Sequence, residues 1–142
     1  MTRVLIYDDN AARRESLETF LQLSPGFESA GAFSNCTTIL DDIRQLKPDL
    51  ILMDIEMPEK DGISGVRLAK EHFPSIRIIM QTAYDDDDKV FAALQAGAEG
   101  YLLKTASVAQ MTQSIEEVMQ GGASMSPGIA LKVMRYFSHQ PP

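Results

Sequence analysis

The chain has 142 residues, the usual size of a single domain with its own core. Apolar residues make up 44% and charged residues 23%, a globular balance that excludes a disordered chain. Lys and Arg number 13 against 20 Asp and Glu, a net charge of −7, which is unsuited to gripping a nucleic-acid backbone directly. In chain order, Val4-Leu5-Ile6-Tyr7 predicts a short strand that ends in Asp8-Asp9-Asn10. Leu17, Phe20, Leu21 and Ser24 then fall at helical spacing between Ala11 and Leu23, and Pro25-Gly26 stops the helix. Phe27 to Phe33 reads as a weaker strand. Ile39, Leu40, Ile43 and Leu46 predict a helix face halted at Lys47-Pro48. Leu50 to Met53 is a continuous apolar run, the pattern of a strand covered on both faces. A helix over Ile63 to His72, a strand over Ile76 to Met80 and a helix from near Asp86 to Ala96 follow. Tyr101-Leu102-Leu103 is the last strand, and Val108, Met111, Ile115 and Val118 mark the face of the next helix, closed by Gly121-Gly122.

Five strand–helix pairs in strict alternation predict a three-layer, doubly wound parallel α/β sheet. The tail differs in character. Ser126-Pro127 reads as a helix start, and Ala130, Val133, Met134 and Phe137 predict one face of an extra helix. Cys36 is the lone cysteine, which rules out an intrachain disulfide and a Cys-based zinc site. No apolar run approaches the ~18 residues of a membrane span. The first apolar run meets acid at Asp8, too early for a signal-peptide core, so the expected location is cytoplasmic.

The polar residues fall in one pattern. Asp8 and Asp9 end the first strand and Asp54 the third; Thr82 follows the fourth and Lys104 the fifth. In a parallel sheet all five converge on the carboxyl edge, where open α/β sheets place their sites. Three carboxylates there repel one another unless a cation joins them. Oxygen-only ligands with room for water suit Mg²⁺. A lysine ammonium and a threonine hydroxyl suit phosphoryl oxygens, and an aspartate can act as the nucleophile that forms an acyl phosphate.

These residues resemble a known family, the receiver domain of bacterial two-component response regulators. The resemblance is carried by Leu5 to Asp9, by Asp49 to Pro58 with Asp61-Gly62 after it, by Ile79 to Ala83, and by Ala96 to Lys104. It covers roughly residues 3 to 121. It implies a flavodoxin-like (CheY-like) (βα)5 sheet in the order 2-1-3-4-5, with residues 1–122 as receiver and 123–142 as linker and tail helix. Asp54 would accept a phosphoryl group from a phosphohistidine on a sensor histidine kinase. Asp9 would bind Mg²⁺ directly and Asp8 through water, and the Glu56 backbone carbonyl would be a further ligand beside Asp54. Thr82 and Lys104 would hold the phosphoryl oxygens. Tyr101 would be the aromatic switch whose ring turns inward when Thr82 moves. Thr105 stands where the family often has proline preceded by a cis peptide.

The stretch Leu102 to Ser107 with the Gly121-Gly122 ending looks most like receivers that precede a LuxR-type helix-turn-helix domain. The resemblance thus implies the receiver of a transcriptional regulator, reaching DNA only through an output domain absent from this chain. It would be a phosphoacceptor with self-catalysed phosphotransfer and autodephosphorylation rather than an enzyme with its own substrate. Phosphorylation should change the surface from about Asp86 to Gln120 and favour a weak homodimer. The alternative is a stand-alone or degenerate receiver acting by protein–protein interaction. A haloacid-dehalogenase-like phosphatase also uses an aspartate after an apolar strand, but that class wants a second Asp where this chain has Glu56.

Overall fold

The computed structural model describes residues 1–83, 87–125 and 127–138. Six strands alternate with six helices: β1 (Thr2–Tyr7), α1 (Ala11–Leu23), β2 (Phe27–Phe33), α2 (Ile39–Leu46), β3 (Leu50–Asp54), α3 (Gly62–His72), β4 (Arg77–Thr82), α4 (Asp87–Ala96), β5 (Gly100–Leu103), α5 (Val108–Met119), β6 (Ser124–Met125) and α6 (Pro127–Ser138). The sheet is parallel throughout, in the order β2-β1-β3-β4-β5-β6. The expected five-strand order is therefore present, with one short strand added at its edge. That strand escaped the sequence reading because two residues carry no period. The expected cap Ser126, the acidic residues Asp85 and Asp86, and His139 lie outside the described residues.

Two apolar layers sandwich the sheet. Leu5, Tyr7, Ile51, Met53, Ile78, Met80 and Tyr101 join α2, α3 and α4 on one face. Val4, Ile6, Leu50, Leu52, Ile79 and Leu102 join α1 and α5 on the other. Every residue of β3 is buried, as its unbroken apolar run requires. α5 shares the α1 face although the chain moves from β5 to β6 in the direction of β3 to β4. The β5–α5–β6 connection therefore has the opposite hand to the four before it. That is rare for paired parallel strands, and β6 is only two residues long.

Helix ends follow local chemistry. Asn10 caps α1 by accepting from the Arg13 N–H (2.9 Å), and Asp61 caps α3 by accepting from the Ser64 N–H (2.8 Å). Ser107 and Gln110 form a capping box on α5. Two expected faces are corrected. Val108 is 60% exposed, because the first residue of α5 projects beyond the layer that Met111, Ile115 and Val118 enter. On α6, Met134 and Phe137 are each 68% exposed. Ile129 is buried instead, Val133 packs behind it, and Tyr136 stacks on Phe91 of α4 with centroids 3.9 Å apart. Apolar residues crowd α6 enough to draw two stripes, and the anchor Ile129 selects the one at i, i+4 and i+7.

Candidate functional site

Strand register gathers the site. Tyr7 lies opposite Met53, Asp54 opposite Gln81, and Thr82 opposite Leu103. Asp8, Asp54, Thr82 and Lys104 thus emerge at one level of the carboxyl edge. Carboxylate oxygens of Asp8, Asp9 and Asp54 lie within 4.8 Å of one another. Asp8 and Asp54 are buried and Asp9 is exposed. The Lys104 ammonium sits between the two buried acids, 3.0 Å from Asp54 Oδ2 and 3.2 Å from Asp8 Oδ2. The other Asp8 oxygen accepts from the Asn10 N–H at 2.9 Å. The Lys104 N–H donates to the Thr82 carbonyl at 2.7 Å, which ties the two strand ends together. Asp9, Asp54, Glu56, Thr82, Ala83 and Lys104 line a cleft of about 180 Å³.

All five convergent polar residues of the sequence reading therefore meet. Glu56 lines the cleft, and its carboxylate is ion-paired with Lys89 of α4 at the rim. The Lys104–Thr105 peptide is trans, since there is no cis bond among the described residues. Tyr101 is fully buried, in the same apolar cluster as Val90, Ala93 and Ile129.

Sequence reading missed four contributors. Arg14 donates to the Asp8 carbonyl (2.8 Å) and Arg13 to the Lys104 carbonyl (3.2 Å), both from the first turn of α1. Gly62 brings α3 against the backbone of Asp54. Beneath the edge, the Tyr7 hydroxyl donates to buried Asp42 (2.7 Å), which also accepts from Thr38. Burial and that carboxylate push the Tyr7 phenol well above its ordinary range. An aspartate on the inner face of α2 was the signal available for this last contact.

Electrostatics single out Asp54. Burial, against the pull of Lys104 and with the push of Asp8 and Asp9, raises its carboxyl to about 6. Burial alone would draw the Lys104 ammonium down, but Asp54 and Asp8 outweigh it and hold it above the usual lysine value. The donor set is all oxygen, acidic and short of cations, which fits a hard divalent ion such as Mg²⁺.

The linkage has a definite sign. Asp54 is harder to ionise folded than unfolded, so its ionisation costs stability. The cost is absent below about pH 4 and complete above about pH 6. Asp54→Asn should therefore be more stable than the parent at pH 7 by on the order of 2 kcal/mol, converging towards it near pH 4. Mg²⁺ should raise the parent's melting temperature most above pH 6. Urea melts across that range check it; a constant gap between the two proteins would show that Asp54 carries no burial penalty. If Asp9 is a direct ligand, Asp9→Ala should lose most of the Mg²⁺ affinity, since it removes the exposed carboxylate of the acidic cluster without disturbing the Lys104 bridge. A metal titration matching the parent's would rule out Asp9 as a direct ligand.

Residues 4–116 match the response regulator receiver domain family. The chain belongs to that family. Its fold agrees: a two-component response regulator of the LuxR family from Aurantimonas sp. SI85-9A1 superposes with a TM-score of 0.90 at 26% identity, over 98% of this chain and 100% of that one. A CheY-like receiver domain protein from Methanospirillum hungatei JF-1 superposes at 0.78 with 27% identity, over 85% and 95%. Among curated relatives, the transcriptional regulatory protein LiaR of Bacillus subtilis (strain 168) is 34% identical over 139 residues. LnrK of the same organism is 30% identical over 140 residues. The chain spans 66% and 64% of the length of those two proteins. It is a two-component response regulator receiver, similar to the receivers of transcriptional regulators. Among its described residues no helix is long and apolar enough to cross a membrane.

Proposed function

We propose that the receiver is a phosphorylation-controlled switch in which Asp54 is the phosphoacceptor. The observation that carries this is the Lys104 ammonium held 3.0 Å from a buried Asp54 whose carboxyl is raised to about 6, with two further acids beside it. An Asp54 oxygen forms the new P–O bond as the P–N bond of a kinase phosphohistidine breaks; the electron pair stays on the imidazole nitrogen, which takes up a proton. Lys104 then follows the charge from the carboxylate to a phosphoryl oxygen, and Thr82 offers its hydroxyl to another. Mg²⁺, held by Asp9, Asp54 and the Glu56 carbonyl with Asp8 acting through water, would neutralise the charge developing on the phosphoryl group. The same groups support self-catalysed transfer from small donors and later hydrolysis. They form a signalling acceptor rather than an enzyme with its own substrate. The complete set of groups weighs against a degenerate receiver. The Glu56 carboxylate, paired outward with Lys89, is poorly placed as the general acid a phosphatase needs.

The test is labelling by acetyl phosphate. We expect one phosphoryl group per chain with Mg²⁺ and none with a chelator. Turnover of donor without a labelled intermediate would favour the phosphatase reading, and no reaction at all the degenerate one.

The kinase partner, the DNA target and the output domain belong to the same proposal, since the relatives this chain resembles are longer. Phosphorylation would bias Thr82, Tyr101 and α4 together, because Tyr101 shares its cluster with Val90 and Ala93. Beryllofluoride with Mg²⁺ should therefore slow hydrogen exchange from α4 to α5. It should also shift sedimentation towards a weak dimer, as the outer α5 face of Gln110, Gln113 and Glu116 is polar. Unchanged mass and unchanged exchange with the mimic bound at Asp54 would reject this readout.

A further inference from the structure

We infer that Arg13 is a positioning residue for Lys104, holding the lysine backbone so that its ammonium meets Asp54. This rests on the phosphoacceptor reading above. Lys104 is fixed at both peptide ends. Its N–H donates to Thr82 on β4, and its carbonyl accepts from Arg13 Nη1 at 3.2 Å, ninety-one residues away in sequence. Thr105, the next residue, is exposed and lacks the ring with which proline would restrict the loop. The Ala106 N–H donates to the Leu103 carbonyl at 3.0 Å and Ala106 packs on the apolar layer, while the guanidinium reaches the Lys104 carbonyl itself.

The placement of Arg13 is costly by local rules. It is half-buried, and its Nε and Nη2 are buried with no acceptor among the described residues. It sits in the first turn of α1, which holds no acidic residue, so its charge opposes the helix dipole. Its neighbour Arg14 has a separate task, donating to the Asp8 carbonyl at 2.8 Å. Two guanidinium groups from one helical turn thus take the backbone carbonyls on the two sides of the Asp8–Lys104–Asp54 bridge. A residue kept against its local preferences, at the edge of a reacting centre, is expected where geometry matters more than stability.

The reaction that reads it is transfer from acetyl phosphate. Asp54 forms a P–O bond, the bond from phosphorus to the acetate oxygen breaks, and acetate leaves with the electron pair. Arg13→Met keeps the stem and removes the donors. We expect its labelling rate to fall about tenfold at saturating donor and Mg²⁺, with the half-saturating donor concentration little changed. Arg13→Lys should recover part of that loss. Arg13→Ala should be accelerated several-fold by tens of millimolar guanidinium ion, which leaves the parent unaffected. A merely structural role would not produce that rescue. Circular dichroism checks the fold, and if Arg13→Met does not fold, Arg13→Gln carries the same rate comparison with a neutral donor. A parental rate in Arg13→Met, or a slow rate that neither lysine nor guanidinium restores, overturns the inference while leaving Asp54 as acceptor. An unlabelled parent overturns both.

Discussion

Asp54→Asn should take up no phosphoryl group from acetyl phosphate or from a phosphohistidine donor, with Mg²⁺ present. Its amide cannot supply the carboxylate oxygen that forms the acyl phosphate. The shape of the side chain is retained, so packing at the end of β3 should survive. Lys104 keeps Asp8 as its partner at 3.2 Å, so the bridge does not collapse into two unpaired groups. Loss of labelling should therefore occur in a protein that melts no earlier than the parent at pH 7, which separates a chemical from a structural defect. Among the described residues Asp8, Asp9 and Glu56 are the other carboxylates at the cleft, and Glu56 is ion-paired with Lys89 at its rim. Asp8 has both oxygens engaged, one by Asn10 and one by Lys104. Asp9 is exposed, outside the buried pocket that holds Asp54. Label on the Asn variant, mapped to Asp8 or Asp9, would sink the assignment.

The convergence of Asp8, Asp54, Thr82 and Lys104 was legible because each ends or directly follows a buried strand. In a parallel sheet, position along the chain then becomes position on an edge. Contacts that depend on how a helix leans were not legible. Arg13 and Arg14 are adjacent on α1, yet they reach carbonyls just past the ends of different strands, β5 and β1, and no period in the sequence announces that. The Tyr7–Asp42 contact hides because an aspartate within an apolar helix face reads as an exposed residue. The α6 face was misassigned because seven of its twelve residues are apolar, so the period alone allows more than one stripe. The tertiary anchor Ile129 decides it. Lys89 opposite Glu56 is likewise a product of packing α4 beside the loop after β3.

Gly62→Ala should be the most damaging substitution outside the acidic cluster. Gly62 opens α3, and its N–H donates to the Ile55 carbonyl at 2.7 Å. A β-carbon there would stand 2.0 Å from the backbone oxygen of Asp54 and 2.9 Å from its carbonyl carbon, with Ile55 Cα at 3.0 Å. All three are backbone atoms, so no side chain can swing aside. Either α3 lifts from the sheet or the Asp54–Ile55 peptide moves. Both routes displace the Asp54 carboxylate, the proposed acceptor, relative to Lys104. The overpacking cost should reach the upper end of about 1–3 kcal/mol. A shift of about 1 Å at the reacting carboxylate is worth on the order of a hundredfold in rate. We therefore expect a lowered melting temperature together with near-loss of labelling by acetyl phosphate, even in Mg²⁺ that saturates the parent. Gly128→Ala on α6, where nothing lies within 4 Å of the added carbon, is the matched control and should be neutral or slightly stabilising. If Gly62→Ala melts and labels like the parent, the close approach of α3 does not set the position of Asp54.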